Sequence, residues 1–420
     1  MKVLLLTLGY PPILTSAARL FSELAEGLAA HGHEVTILTT FPERYLDDKE
    51  AATIKTIPER EKTNGIEVHR LRMLGLPKQV PFLRGLEHVL YGFQYFMHGR
   101  GLRPHDVVIA YSPPLPLAVS AARLALKWRG SSIINIQDLY PQEAIDLGLL
   151  RNRWLINIGR WMEQWVYQHI DAITVYSEAN RDYVIKKGVN PDKIYVIANW
   201  IDLKKYKPGP RKNSFRSSYA LEDAFILSYA GVMGFAQGLG DVLRAAVRLE
   251  REIPGFVLVL AGSGVELPKL RELSQDLGLK NVRFISHIPE NEYIALLQAS
   301  DVCLVTLDKN LTTPIIPGKL SCIMGVGRPA VCNLPATADA WKIVEGSKSG
   351  FCAEAGDPDA LADAVLRIYR DPAMREEMER NGRMYAETYF DRNHSIDQYD
   401  QLLLNLNRPS LKQGTKGDKL

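Results

Sequence analysis

Chemistry-bearing residues gather where loops leave apolar runs. Gly231-Val232-Met233-Gly234-Phe235-Ala236-Gln237-Gly238 follows the run Phe225–Ala230 and precedes a helical pattern from about Asp241 to Arg251. Glycines there let backbone N–H groups approach a phosphate at a helix N-terminus, or simply accommodate a tight turn of positive φ. Gly262-Ser263-Gly264 follows the run Phe256–Ala261. Leu267 stands where a dinucleotide fingerprint needs its third glycine, which argues against a nicotinamide cofactor. Pro317-Gly318-Lys319 opens another helical pattern. A lysine at a helix start opposes the dipole, a mild cost that makes sense where an anion such as a diphosphate is held; a solvated surface lysine is the plain alternative. Asp138 ends the run Ser132–Gln137 and precedes Leu139-Tyr140-Pro141. It is either a carboxylate at the ligand-binding face of a sheet or a helix cap.

Other patterns carry less. Asp357-Pro358-Asp359 imitates a metal-binding acidic pair, but it sits where a cap and a first-turn proline would start the helix around Leu361. No acidic pair is placed to hold a diphosphate-bound metal, so no metal and no cofactor are expected. No GxxxxGK[ST], HExxH or Ser/His/Asp arrangement occurs, and His33 reads as a turn residue between a helix and a strand. The four cysteines, Cys303, Cys322, Cys332 and Cys352, lack the close spacing of a zinc site and read as reduced thiols of a cytoplasmic protein.

These residues need a scaffold. The chain has 420 residues, 46% hydrophobic and 24% charged, which predicts two or three globular domains. Its net charge of +3 is close to neutral for this length and argues against a nucleic-acid partner. Val3–Leu8 is short and ends in Gly9-Tyr10-Pro11-Pro12, so it reads as a first strand rather than a leader. Strands alternate with helices through Glu34–Thr40, Val107–Ala110, Ser132–Gln137, Ala172–Tyr176 and Ile194–Ile197. The alternation restarts at Phe225 and continues through Val282–Ile285, Val302–Thr306 and Ala330–Cys332. Such alternation predicts two doubly wound α/β domains with ligands held at the carboxyl ends of parallel strands, in a cleft between the domains. The expected boundaries are 1–203 for the first domain, 204–222 for a Lys/Pro/Arg-rich linker, 223–385 for the second, 386–407 for a C-terminal helix and 408–420 for a polar, disordered tail.

In order and spacing the motifs resemble a retaining glycosyltransferase of family 4. Tyr10-Pro11-Pro12 and Gly32-His33-Glu34-Val35 resemble the family's opening. Gln137-Asp138-Leu139-Tyr140-Pro141, Asn199-Trp200-Ile201-Asp202, Tyr229-Ala230-Gly231 with Gln237-Gly238-Leu239, and Pro317-Gly318-Lys319 with Gly327-Arg328-Pro329 are similar to segments of a subgroup acting on exopolysaccharide and O-antigen amino sugars. The resemblance implies a GT-B fold, two Rossmann-like domains with the C-terminal helix returning to the first. It implies a nucleotide-sugar donor, commonly UDP-linked, in the second domain and a glycan or lipid-linked acceptor in the first, for cell-surface polysaccharide biosynthesis. It places Gly231, Met233, Gly234, Gln237, Gly238, Gly262, Pro317, Gly318 and Lys319 at the donor and Asp138 at the transferring carbon. The sequence departs from the wider family where two glutamates are usual; Pro314 and Cys322 stand there, the second at the position that binds the donor ribose. A UDP-sugar 2-epimerase and a non-catalytic nucleotide-sugar scaffold share the fold and remain as alternatives.

The segment 70–103 carries Arg70, Arg72, Lys78, Arg84, Arg100 and Arg103 against a single acid, Glu87, with many aromatic residues between. Basic and aromatic residues together suit an anionic membrane surface, which would make the protein peripheral on the inner face of the membrane. Packing of those aromatics against the first sheet is the competing reading.

Overall fold

The computed structural model describes residues 1–12, 15–41, 57–73, 81–286 and 288–406, without the side chains of Ser16 and of residues 81–86. The expected tail and the basic residue Lys78 lie outside the described residues, as does the side chain of Arg84.

Two compact units are present. The first comprises 1–142, 150–199 and 393–420, the second 143–149 and 200–392. The first holds strands β1 (Lys2–Leu6), β2 (Glu34–Thr40), β3 (Arg60–Thr63), β4 (Ile66–Leu71), β5 (Val107–Ser112), β6 (Ser131–Ile136), β7 (Ala172–Val175) and β8 (Ile194–Val196) in the order β3-β4-β2-β1-β5-β6-β7-β8. Among the described strands only the β3–β4 pair is antiparallel. It is a hairpin turning at Asn64-Gly65, both with positive φ, as a two-residue turn of this hand requires. Val3 to Leu6 are wholly buried, because a parallel sheet carries helices on both faces.

The second unit holds β9 (Phe225–Ala230), β10 (Phe256–Ala261), β11 (Val282–Ile285), β12 (Val302–Thr306), β13 (Ala330–Leu334) and β14 (Gly350–Glu354), all parallel, in the order β11-β10-β9-β12-β13-β14. The chain turns back on itself between β9 and β12. At such a switch point the loops diverge and leave a crevice.

Two expectations change. The stretch 204–222 is not a free linker. Phe215 and Leu221 are buried in the second unit's core, and the buried Arg216 guanidinium donates to the carbonyls of Ala299 and Ala224 and pairs with Asp301 at 2.8 Å. Its basic composition suggested exposure, but a guanidinium can enter a core when carbonyls and a carboxylate satisfy its donors. The described residues also close on two helices rather than one. Pro372–Tyr389 belongs to the second unit and Arg392–Leu406 to the first.

The helix Arg392–Leu406 is fitted closely to the first unit. Gly27 leaves room for Ile396, which a Cβ at that position would overlap. His31 and His33 bond Asp397 and Asp400 at 2.9 and 2.6 Å.

Of the basic residues described in the segment 70–103, Arg72, Arg100 and Arg103 are exposed and Arg70 is built into the fold. Arg70 is buried, paired with Glu61 at 2.6 Å and donating to the carbonyls of Pro58 and Pro11. Tyr91 and Tyr95 are buried under the helix Pro81–Gly99. Arg70 therefore cannot reach a membrane, and of the four aromatic side chains described in the segment Tyr91 and Tyr95 face the core while Phe93 is exposed.

Candidate functional site

The donor residues expected in the second unit gather at the carboxyl ends of β9 and β10. Gly231 leaves β9 at φ +142°, Gly262 leaves β10 at +137° and Gly264 lies at +157°. A Cβ on Gly262 would overlap the Gly231 carbonyl, and one on Gly264 would overlap the Met233 carbonyl. The two loops are thus zipped together: Gly231 N–H donates to Ala261 at 2.9 Å, Met233 N–H to Ser263 at 2.8 Å and Glu266 N–H to Met233 at 3.0 Å. This corrects the simplest reading of the loop. The N–H groups of Gly231 and Met233 are spent inside the protein, and the Met233 side chain is wholly buried. The glycines bring two backbones together rather than aiming donors at a ligand.

What this packing presents is Lys319. Its ammonium lies 5.0 Å from the centre of the Tyr229 ring, and the absence of a side chain on Gly231 makes room for its Cε. No carboxylate pairs with it among the described residues. Burial lowers its pKa from 10.5 to about 8. An ammonium so placed retains only the weak attraction of a ring face and lacks the anion that would offset its lost hydration. Tyr229 is fixed in turn, its hydroxyl donating to the Val232 carbonyl at 2.6 Å. Pro317 and Gly318 lead into the helix Lys319–Gly325, with Leu320 N–H donating to the Pro317 carbonyl at 2.9 Å. Gly318 has helical φ and open space around it, so its backbone does not require glycine.

Beyond Gly234 the loop opens into a cavity of about 660 Å³ lined by Gly234, Phe235, Gly238, Arg244, Asp308 and Lys309, among others. Gln237 supports the turn by accepting from Gly234 N–H at 3.0 Å. Gly238, at φ +56°, packs 3.1 Å (from where a Cβ would be) against the carbonyl of Leu307. The helix Leu239–Glu252 starts at this cavity, whose lining sets the cations Arg244 and Lys309 beside the acids Asp241, Glu266 and Asp308. Lys319 is outside this lining. Asp308 and Arg244 escaped sequence reasoning. Asp308 lies two residues beyond β12, so strand-end position could have marked it; Arg244 lies inside a helix and carries no such signal.

Asp138 lies in the first unit, two residues beyond β6. Its side chain reaches solvent, yet the protein mass around it pushes the carboxyl up from 3.8 to about 6. No helix-cap hydrogen bond to Asp138 is present among the described residues, which removes the capping reading. The strand end that carries it is held by a polar cluster. Gln137 and Asn199 exchange hydrogen bonds at 2.6 and 3.0 Å, Gln137 also donates to Asn135 at 2.9 Å, and Asn135 donates to the Tyr399 hydroxyl at 2.7 Å. Thr174 completes it, 3.1 Å from that hydroxyl. Asp357 behaves as a cap, accepting from Ala360 N–H at 2.9 Å. All four cysteines are free thiols.

Residues 16–200 match the model of a glycosyl transferase 4-like domain, and residues 210–385 match that of glycosyl transferases group 1. The chain is a member of this glycosyltransferase family. A protein of Escherichia coli (strain K12), whose name assigns it provisionally to colanic acid biosynthesis as a glycosyl transferase, is 26% identical over 95% of this chain and 98% of its own. The fold is shared with sucrose-phosphate synthase from Thermosynechococcus elongatus, at TM-score 0.78 and 19% identity over 96% of this chain and 98% of that one. It is shared also with HepE of Anabaena, solved in complex with UDP-glucose, at TM-score 0.72 and 17% identity over 96% and 100%. This glycosyltransferase accordingly has the two Rossmann-like domains of a GT-B enzyme.

Proposed function

We propose that this glycosyltransferase moves a sugar from a UDP-linked donor to a glycan or lipid-linked acceptor, with retention, in the building of a cell-surface polysaccharide. One observation carries the donor half: Lys319 is a half-buried cation with a lowered pKa and no carboxylate partner among the described residues, seated where two strand-end loops are zipped by glycines. A diphosphate supplies the missing anion. As the sugar–oxygen bond breaks, negative charge grows on the leaving diphosphate, and a fixed ammonium stabilises that charge more than the ground state. This is how the site would dispense with a metal ion.

Asp138 has the complementary task. Retention brings the acceptor hydroxyl to the face that the diphosphate leaves, so the hydroxyl must be oriented and its proton removed late. A carboxylate with its pKa raised towards 6 is a better proton acceptor near neutrality than an ordinary one. The lining residues do not name the sugar. HepE was solved with UDP-glucose, and the Escherichia coli relative's name points to an exopolysaccharide; both favour the proposed class of donor and product.

The test is a panel of nucleotide sugars read first by thermal shift. Ligand at about a hundred times its Kd stabilises by roughly 2.7 kcal/mol. The stabilising UDP-sugar is then incubated with and without candidate glycan and lipid-linked acceptors. Sugar transfer only with an acceptor, undiminished by EDTA, is expected. Conversion of the donor alone would indicate a 2-epimerase, and binding without turnover on any acceptor a scaffold.

A further inference from the structure

One helical face of the first unit combines apolar and basic side chains and has lost its acids to the interior. Helices Pro81–Gly99, Leu115–Trp128 and Arg153–His169 lie side by side over one face of the first sheet. On the last of these, Trp154 is 80% exposed, Ile158 53% and Trp161 65%. Spaced i, i+4, i+7, they form one stripe along the helix. Leu126 is exposed on the middle helix, and Val89, Phe93 and Met97 on the first, again at helical spacing. Arg123, Lys127, Arg153 and Arg160 are exposed beside them.

The three helices contain two acids, Glu87 and Glu163, and each is 1% exposed. Glu87 accepts from the Tyr91 hydroxyl at 2.6 Å; Glu163 accepts from Tyr167 and pairs with Lys187 at 3.2 Å. The surface of this layer therefore shows cations, indoles and aliphatic groups with no exposed carboxylate among the described side chains of these helices. Two copies of such a face would set like charges against each other. An anionic lipid surface instead complements it: arginines reach headgroup phosphates while indole rings, apolar with one N–H, enter the boundary between headgroups and acyl chains.

We propose that this three-helix layer, centred on Trp154, Ile158 and Trp161, docks the protein on an anionic phospholipid membrane. The inference deepens the reading above by giving a lipid-linked acceptor a surface from which to be taken, and it rests on that reading only for its purpose. It also relocates the membrane contact expected at 70–103. That segment contributes the exposed Val89, Phe93 and Met97, whereas Arg70, Tyr91 and Tyr95 face inward.

The experiment uses the full chain with vesicles of phosphatidylcholine alone and of phosphatidylcholine mixed with phosphatidylglycerol. Wild-type protein is expected to co-sediment with the mixed vesicles only, to be released by salt, and to shift its tryptophan emission to the blue on binding. Trp154→Ser/Trp161→Ser and, separately, Arg153→Glu/Arg160→Glu should each weaken vesicle affinity at least about tenfold, with the UDP thermal shift of each variant equal to wild type. Wild-type protein that ignores anionic vesicles at low salt overturns the proposal, as do both double variants binding like wild type. A solution dimer dissociated by Trp154→Ser/Trp161→Ser, without vesicle binding, would give the face to a second copy and overturn it equally. Vesicle binding by a protein that transfers no sugar would uphold the docking face and remove the glycosyl-transfer reading alone.

Discussion

The strand end after β6 and the strand ends after β9 and β10 are built on opposite principles. After β9 and β10, backbone meets backbone. Gly231, Gly262 and Gly264 remove side chains so that two loops touch, and one long side chain, Lys319, occupies the space. After β6, side chain meets side chain. Gln137, Asn199, Asn135, Thr174 and Tyr399 form a buried polar cluster, and the carboxylate they support remains open to solvent. A backbone-built seat fixes charge in one position and suits a constant ligand group such as a diphosphate. A side-chain-built seat holds its strand end firmly but leaves the neighbouring surface free to vary, which suits acceptors of differing shape.

The contrast can be broken at three points. Asp138→Asn should have the largest effect, lowering kcat by about 10²–10⁴-fold, the range of general-base catalysis, with donor affinity from thermal shift unchanged. A near-normal kcat would take Asp138 out of the reaction. The sign of its pH dependence follows from the raised pKa: the carboxylate is lost as pH falls through about 6, so the wild-type rate should drop on that acid limb.

Lys319→Ala comes next. Hydrogen bonds to charged groups contribute about 1.5–3 kcal/mol, so donor binding should weaken roughly tenfold to a hundredfold with the melting temperature of the free protein preserved or raised. Because the Lys319 pKa is depressed to about 8, the free protein loses the ammonium as pH rises through that value, and the UDP thermal shift should be greatest below it. Between about 8 and 10.5 the unfolded chain binds the extra proton, so Lys319 makes stability rise with pH across that window. A UDP shift that is flat from pH 7 to 10 would contradict an anion seat at Lys319.

The smallest effect is expected from Tyr399→Phe. It deletes a hydroxyl bonded to Asn135 and Thr174; those two still bond each other at 3.1 Å, but the buried Asn135 N–H that loses its acceptor costs about 1–3 kcal/mol. Chemical denaturation should show that loss while donor affinity stays put. If donor affinity fell in parallel, the two strand ends would not be independent.

Much of this was legible in the residues. Phe225–Ala230, Phe256–Ala261 and Val302–Thr306 stand where unbroken apolar runs put them, because strands buried on both faces have no polar positions to confuse the reading. The β3–β4 hairpin was missed although Asn64-Gly65 announces its turn; Arg60–Thr63 has no apolar alternation to accompany that signal. The sequence leaves the task of the Gly231 and Met233 backbone open for a physical reason. A glycine-rich loop looks the same in sequence whether its N–H groups face a phosphate or a neighbouring loop, and only the position of Gly262 decides. The cluster beneath Asp138 joins residues from 135 to 399, a separation that no local pattern reports.

The seating of the helix Arg392–Leu406 has a consequence for synthesis. Ile396, Tyr399, Leu402 and Leu403 are buried in a unit whose other parts end at residue 199. On the ribosome the first unit emerges early but cannot finish its core until the whole second unit has followed. The nascent chain must therefore hold an unfilled slot beside Gly27 for the time needed to make some two hundred residues. Cutting the gene between the two sheets would leave that slot open for good, whereas supplying the last helix in trans offers a way to close it.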